Sequence, residues 1–150
     1  MQLVKQYSLF LENKPGLLAQ VARQLAKAKI NVLAMTMMDS SEHGVLRMVV
    51  HNGAEAFRAA VNALNLPMTE TEVLLVEMPN RPGSLAEVCG KLAESHINIS
   101  YAYCTTGAPG GRTTGVFKVA DIKKAMKVLS KGPAKHREQR QKVRRPPVTR

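Results

Sequence analysis

The feature that most constrains this chain is an internal repeat. Asn13-Lys14-Pro15-Gly16 recurs as Asn80-Arg81-Pro82-Gly83, an offset of 67 residues. The same offset lays Leu18 on Leu85, Ala19 on Ala86, Val21 on Val88, Leu25 on Leu92 and Ala26 on Ala93, and it closes with Ile30-Asn31 on Ile97-Asn98. From 13 to 32, ten of twenty positions match their counterparts without a gap. Two copies are too few to stack as a solenoid. The 150 residues therefore read as two small units in tandem, 1–70 and 71–130, followed by a tail, 131–150.

Each copy reads as strand, helix, strand, strand, helix. The β-rich run Val4 to Leu11 stops at the first Asn-x-Pro-Gly, and Val73 to Met78 stops before the second. Behind each Pro-Gly the spacing predicts an amphipathic helix, with Leu18, Val21, Ala22 and Leu25 in one copy and Leu85, Val88, Cys89 and Leu92 in the other. Second strands are expected from Asn31 to Met38 and from Asn98 to Thr105, and third strands from Gly44 to Val50 and from Gly115 to Val119. Hairpins at Asp39-Ser40-Ser41 and Gly107 to Gly111 join them. Second helices carry Phe57, Ala60, Val61 and Leu64 against Ile122, Ala125, Met126 and Leu129. The expected class is α+β: two ferredoxin-like βαββαβ units, antiparallel sheets with helices on one face. The fourth strand of the first copy has room only around Pro67–Thr71, running almost directly into the next strand. After Leu129 no apolar alternation follows, so the second copy is expected to lack its last strand and to leave an edge exposed.

The stretch from Leu9 to Leu18 with Ile30-Asn31-Val32, and its repeat at Asn80 to Gly83 with Ile97-Asn98-Ile99, resembles the opening of an ACT domain. The chain to about residue 130 is similar to a stand-alone tandem ACT protein. The resemblance implies a non-catalytic sensor that binds an amino acid where the strand-one/helix-one loops of two ACT units meet. It also implies an allosteric partner among metabolic enzymes. Asn13 and Asn31 match the family's ligand-holding asparagines, and Asn80 and Asn98 are their repeat partners.

The residues suit such a ligand. Pro15 and Pro82 stiffen the strand exit, while Gly16 and Gly83 leave the backbone open. The amides of Leu17, Leu18, Ser84 and Leu85 then sit at the positive end of a helix dipole, where a carboxylate is favoured. An asparagine side chain can accept from an ammonium group and donate to a carboxylate, the mixture a zwitterion needs. Some family members carry a histidine two residues before the first Asn, where Leu11 and Met78 stand here. Glu12 becomes Pro79 and Leu17 becomes Ser84 in the second copy, so the two sites differ. The first copy, or an interface shared by both, is the expected site.

The formal net charge of +11 first suggests a polyanionic partner, but its distribution matters more. Residues 131–150 hold eight of the 22 basic side chains and one acid, Glu138, so +7 lies in the tail and +4 in the rest. That tail has Pro and Gly but no aromatic, and disorder is expected for it; any nucleic-acid contact is expected through it alone, without sequence preference and with steep salt dependence. Docking of this tail to nucleic acid or an acidic partner, with the ACT units serving only as a dimerisation or enzyme-regulatory subunit in the manner of the acetolactate synthase small subunit, is the alternative reading. No run approaches 18 apolar residues and no secretory leader is legible, so a cytoplasmic protein without membrane contact is expected. Cys89 and Cys104 and the four histidines show no metal spacing, no nucleophile–base set is apparent, and no cofactor is implied. A missing strand and the Met-rich run Met35, Met37 and Met38 point to a homodimer.

Overall fold

The computed structural model describes residues 1–38, 43–51, 53–107 and 110–131. In chain order these form β1 (Gln2–Glu12), α1 (Leu17–Lys27), β2 (Asn31–Met38), β3 (His43–His51), α2 (Ala54–Asn62), β4 (Met68–Pro79), α3 (Ser84–Glu94), β5 (Ile99–Thr106), β6 (Arg112–Val119) and α4 (Ile122–Ser130). The first hairpin turn, Ala108-Pro109 of the second, and all but the first residue of the basic tail expected at 131–150 lie outside the described residues.

All six strands form one antiparallel sheet in the order β2-β3-β1-β4-β6-β5. The strand expected around Pro67–Thr71 and the one expected from Val73 are a single twelve-residue strand, β4. It pairs with β1 from Met68 to Leu75 and with β6 from Leu74 to Pro79. Residues 70 and 71, where the sequence divides the units, therefore lie inside one strand. β4 is at once the fourth strand of the first unit and the first strand of the second. The edge expected to stand open is filled, because β1 occupies the fourth-strand position of the second unit. Each unit lends the other its opening strand.

Local signals set the helix ends. The Ile30 N–H donates to the Leu25 carbonyl at 3.0 Å and the Lys29 N–H to that of Ala26 at 3.0 Å. The Ile97 N–H likewise donates to the Leu92 carbonyl, and His96 to Ala93, both at 2.9 Å. These are paired Schellman motifs. Their left-handed residues are Lys29 (φ 54°) and His96 (φ 53°) rather than glycine. The inward stripe of α1 is Leu17, Val21, Leu25 and Ala28, rotated by one residue from the expected one, and Leu18 and Ala22 are exposed. In α3 Ser84 is buried in Leu17's place and Leu85 is exposed, while Val88, Cys89 and Leu92 pack toward the core as expected.

α1 and α2 cover Tyr7, Leu9, Leu11, Leu46 and Met48 to make one core, while α3 and α4 cover Leu74, Val76, Met78 and Phe117 to make a second. A third core fills the opposite face of the sheet, with Ala34, Val49, Val73, Leu75 and Val116. That face is concave. Bulges interrupt both edge strands at equivalent places, between Val32 and Ala34 and between Ile99 and Tyr101. Such bulges bend and twist a strand, and the Cα traces of β2 and β5, the two outermost strands, approach within 8 Å. A polar clasp spans the hollow. The fully buried Gln6 donates through Nε2 to the Tyr101 hydroxyl at 2.8 Å and to Ser8 Oγ at 3.3 Å, and its Oε1 accepts from the Tyr103 hydroxyl at 3.0 Å. The Arg47 guanidinium lies 3.8 Å from the centre of the Tyr101 ring.

Candidate functional site

Both Asn-x-Pro-Gly loops take the same backbone path. Gly16 and Gly83 have φ of +88° and +91°, and nothing lies within 4 Å of where a Cβ would stand at either. The left-handed backbone, rather than crowding, is what calls for glycine there. In α1 the Gln20 N–H donates to the Gly16 carbonyl at 3.0 Å and the Leu17 N–H to that of Lys14 at 3.4 Å. The amides of Leu18 and Ala19 precede the first intrahelical bond, and no side chain caps them. In α3 the Glu87 N–H donates to the Gly83 carbonyl at 2.9 Å, again with no side-chain cap.

Beside the first loop opens a cleft of about 520 Å³, lined by Phe10, Glu12, Lys14, Pro15, Leu17, Gln20 and His43 and, across it, by Leu64 to Pro67. The expected residues Pro15 and Leu17 line it, and Asn13, Gly16 and Leu18 belong to the same loop and helix turn. Glu12 and Lys14 form an ion pair at its mouth. The hydrogen bond from Lys14, then its charge, holds the Glu12 carboxyl below the usual carboxylate range. Asn13 is exposed, with no side-chain hydrogen bond among the described residues.

The second loop is engaged differently. Asn80 Nδ2 donates to the Gly107 carbonyl at 3.1 Å, the Asn80 N–H to that of Gly111 at 2.8 Å, and the Gly110 N–H to the Asn80 carbonyl at 3.3 Å. Asn80 thus fastens the β5–β6 hairpin onto the loop. The Ser84 hydroxyl is buried without a hydrogen-bond partner among the described residues.

Strand direction separates the asparagines of each unit. Glu12 pairs with His43 and Asn31 with His51, so the nine residues of β3 lie between Asn13 and Asn31, about 26 Å at the usual rise per residue. Asn13 shares its end of the sheet with Asn98, whose carbonyl accepts from the Ala120 N–H at 3.0 Å, and Asn31 shares the other end with Asn80. In each case three strand spacings intervene. A second cleft, of about 350 Å³, lies at the Asn31 end and is lined by Gln2, Val4, Lys5, Tyr7, Leu33, Val50, His51, Gly53 and Ala54.

Sequence reasoning missed Gln20, His43 and the segment 64–67 at the larger cleft. Only long-range pairing brings them there: β3 sets His43 beside Glu12, and the Phe10 N–H donates to the Pro67 carbonyl at 3.0 Å. Glu12 and Lys14 were legible as opposite charges flanking Asn13. Cys104 is exposed on the edge strand β5, and Cys89 is half-buried.

The family model for an ACT domain pair matches residues 2–141. The chain belongs to the ACT domain pair family. A Bacteroides thetaiotaomicron protein of known structure is 32% identical, with a TM-score of 0.77 over 85% of this chain and 87% of that one. The aspartate kinase regulatory subunit of Thermus thermophilus, in its ligand-free form, has the same fold at 15% identity, with a TM-score of 0.61 over 87% of this ACT pair and 96% of that chain. Aspartokinase III of E. coli, in complex with lysine and aspartate, has a TM-score of 0.53 at 19% identity; the match covers 86% of this chain and 30% of that one. No curated protein matches this sequence. ACT domains are regulatory modules, and a regulatory role is the coarse functional assignment of this ACT pair. No helix among its described residues is long and apolar enough to cross a membrane.

Proposed function

We propose that this ACT pair is a non-catalytic cytoplasmic sensor that binds a free amino acid at the first Asn-x-Pro-Gly loop and modulates a metabolic enzyme. The observation that carries the reading is the loop itself. It presents uncapped helix amides, an unengaged Asn13 and an acid and a base, Glu12 and Lys14, around one cleft. The amides suit the ligand carboxylate, and Asn13 and Glu12 suit its ammonium group. Asn80, committed to its own hairpin, makes the second loop the weaker candidate.

A ligand held by Asn13 and Asn31 together requires two copies of the chain, because those residues lie at opposite ends of one sheet. The proposal is therefore a homodimer with ligand at the interface. The exposed Leu18 beside the loop, and Met35, Met37 and Met38 along the edge strand β2, support such a surface. Aspartokinase III, 30% of whose chain matches this fold, is in complex with lysine and aspartate, which supports an amino acid as the ligand class.

Thermal unfolding in the presence of each of the twenty amino acids tests the reading. At about a hundred times Kd the active ligand adds roughly 2.7 kcal/mol to stability. Asn13→Ala is expected to abolish the shift, whereas Asn80→Ala retains it. No shift with any amino acid at millimolar concentration overturns the sensor reading. A strict 16.4 kDa monomer with ligand bound overturns the shared site.

A further inference from the structure

The solvent face of α4 is a stripe of cations that forms no ion pair among the described residues. Ile122, Ala125, Met126, Val128 and Leu129 turn toward the second core, and the outward positions are Lys123, Lys124 and Lys127, followed by Lys131 as the helix ends. Lys91 of α3 joins them, donating through Nζ to the Lys131 carbonyl at 3.1 Å. None of these five lysines forms an ion pair among the described residues. The acids on these two helices form no ion pair with the stripe among the described residues. Asp121 caps α4, accepting from the Lys124 N–H at 2.9 Å, Glu87 pairs with Arg81, and Glu94 closes α3.

The fold does not require this stripe. The repeat supplies an internal control in α2, the counterpart of α4, which has one acid and one base, Glu55 and Arg58, with Arg58 bound to Glu70. On α4, Lys123 and Lys127 are four residues apart and Lys124 and Lys127 three, spacings at which like charges repel. The stripe thus opposes helix stability where the sister helix avoids doing so. It also lies where the basic segment begins: residues 132–150 add seven cations and one acid by sequence.

We propose that Lys91, Lys123, Lys124, Lys127 and Lys131 form a docking face for the phosphodiester backbone of a nucleic acid duplex. The outward face of α4 carries no apolar side chain to insert among lipid tails, which argues against an anionic membrane as its occupant. It carries no aromatic to stack on a base either, so recognition is of backbone charge and independent of sequence. The inference is separate from the amino-acid site and does not depend on it.

The full-length chain is titrated with a labelled duplex DNA of arbitrary sequence and with the matching duplex RNA, from 50 to 200 mM salt. A parallel titration uses vesicles containing phosphatidylserine. Expected is duplex binding whose affinity falls steeply with salt. The Lys123→Gln/Lys124→Gln/Lys127→Gln variant is expected to flatten the slope of log K against log salt by about 3, one for each phosphate that a lysine no longer neutralises. Arg23→Gln/Lys27→Gln on α1 leaves the slope unchanged. The substituted side chains are all exposed, and circular dichroism melts identify any variant that has lost its fold. Three results overturn the proposal: no duplex binding at 50 mM salt, duplex binding with the same slope in the α4 variant, or binding to vesicles but not to duplexes.

Discussion

Gln6→Leu perturbs the clasp that holds the outermost strand of the second unit against the first. Leucine keeps most of the glutamine volume, so little cavity opens. Two amide–hydroxyl bonds, to Tyr101 and from Tyr103, are lost at about 1 kcal/mol each. The Tyr103 hydroxyl is then left without its acceptor in a half-buried setting. Burial pushes that hydroxyl well above the ordinary tyrosine range, so it stays a protonated donor in need of a partner. The orphaned group adds about another 1 kcal/mol, for a total of roughly 2–3 kcal/mol. Urea unfolding followed by far-ultraviolet circular dichroism reads this as a midpoint lowered by about 1–2 M. The decisive comparison is Gln6→Leu/Tyr101→Phe/Tyr103→Phe, which removes both tyrosine hydroxyls together with the amide. It should recover at least about 1 kcal/mol relative to Gln6→Leu alone, since neither tyrosine hydroxyl is then left stranded. A Gln6→Leu protein within about 0.5 kcal/mol of the parent, or a triple variant less stable than the single one, refutes the clasp.

Three further outcomes follow from local geometry. Lys29→Gly and His96→Gly each relieve a left-handed residue at a helix end and should raise stability by about 0.5–1 kcal/mol in the same urea assay. Gly115→Ala sets a Cβ 2.5 Å from Phe117 Cε2 and 2.8 Å from Met78 Cε and should cost about 1–3 kcal/mol, whereas Gly90→Ala, in the middle of α3 with open space, should gain about 0.5–1 kcal/mol. Glu70 accepts hydrogen bonds from Arg58 and then Lys5, which hold its pKa at about 2. Its contribution is complete above the unfolded carboxylate range near 4.5 and fades as pH falls toward 2. The difference in urea midpoint between the parent and Glu70→Gln should accordingly shrink over that interval and be mostly gone at pH 2, and a difference undiminished at pH 2 contradicts the assignment.

What was legible in the sequence was local. The doubled Asn-x-Pro-Gly carried the family, the helix starts and the glycine backbone, because a left-handed turn leaves its mark on adjacent residues. The strand and helix order was legible for the same reason. The start of the inward stripe of α3 was not, because Ser84 rather than Leu85 stands at the core position, whereas Val88, Cys89 and Leu92 pack as the pattern predicts. Pairing between distant residues was equally hidden. Nothing near Gln2 to Leu9 announces that β4 will pair with it, and Tyr101 and Tyr103 look like ordinary strand residues until the bulges curl β5 over Gln6. The site divided along the same line: Asn13, Pro15 and Leu17 are neighbours in sequence and in space, whereas Asn31 is parted from them by the length of β3.

The exchange of β1 and β4 between the two units has a consequence for how the chain comes apart. Neither half owns a complete sheet: without residues 1–12 the second half loses the strand beside β4, and without 68–79 the first half loses the strand beside β1. Duplication of the sequence has thus produced two repeats but a single foldon. Melting one half strips a ladder of hydrogen bonds from the other, which favours one sharp transition over two.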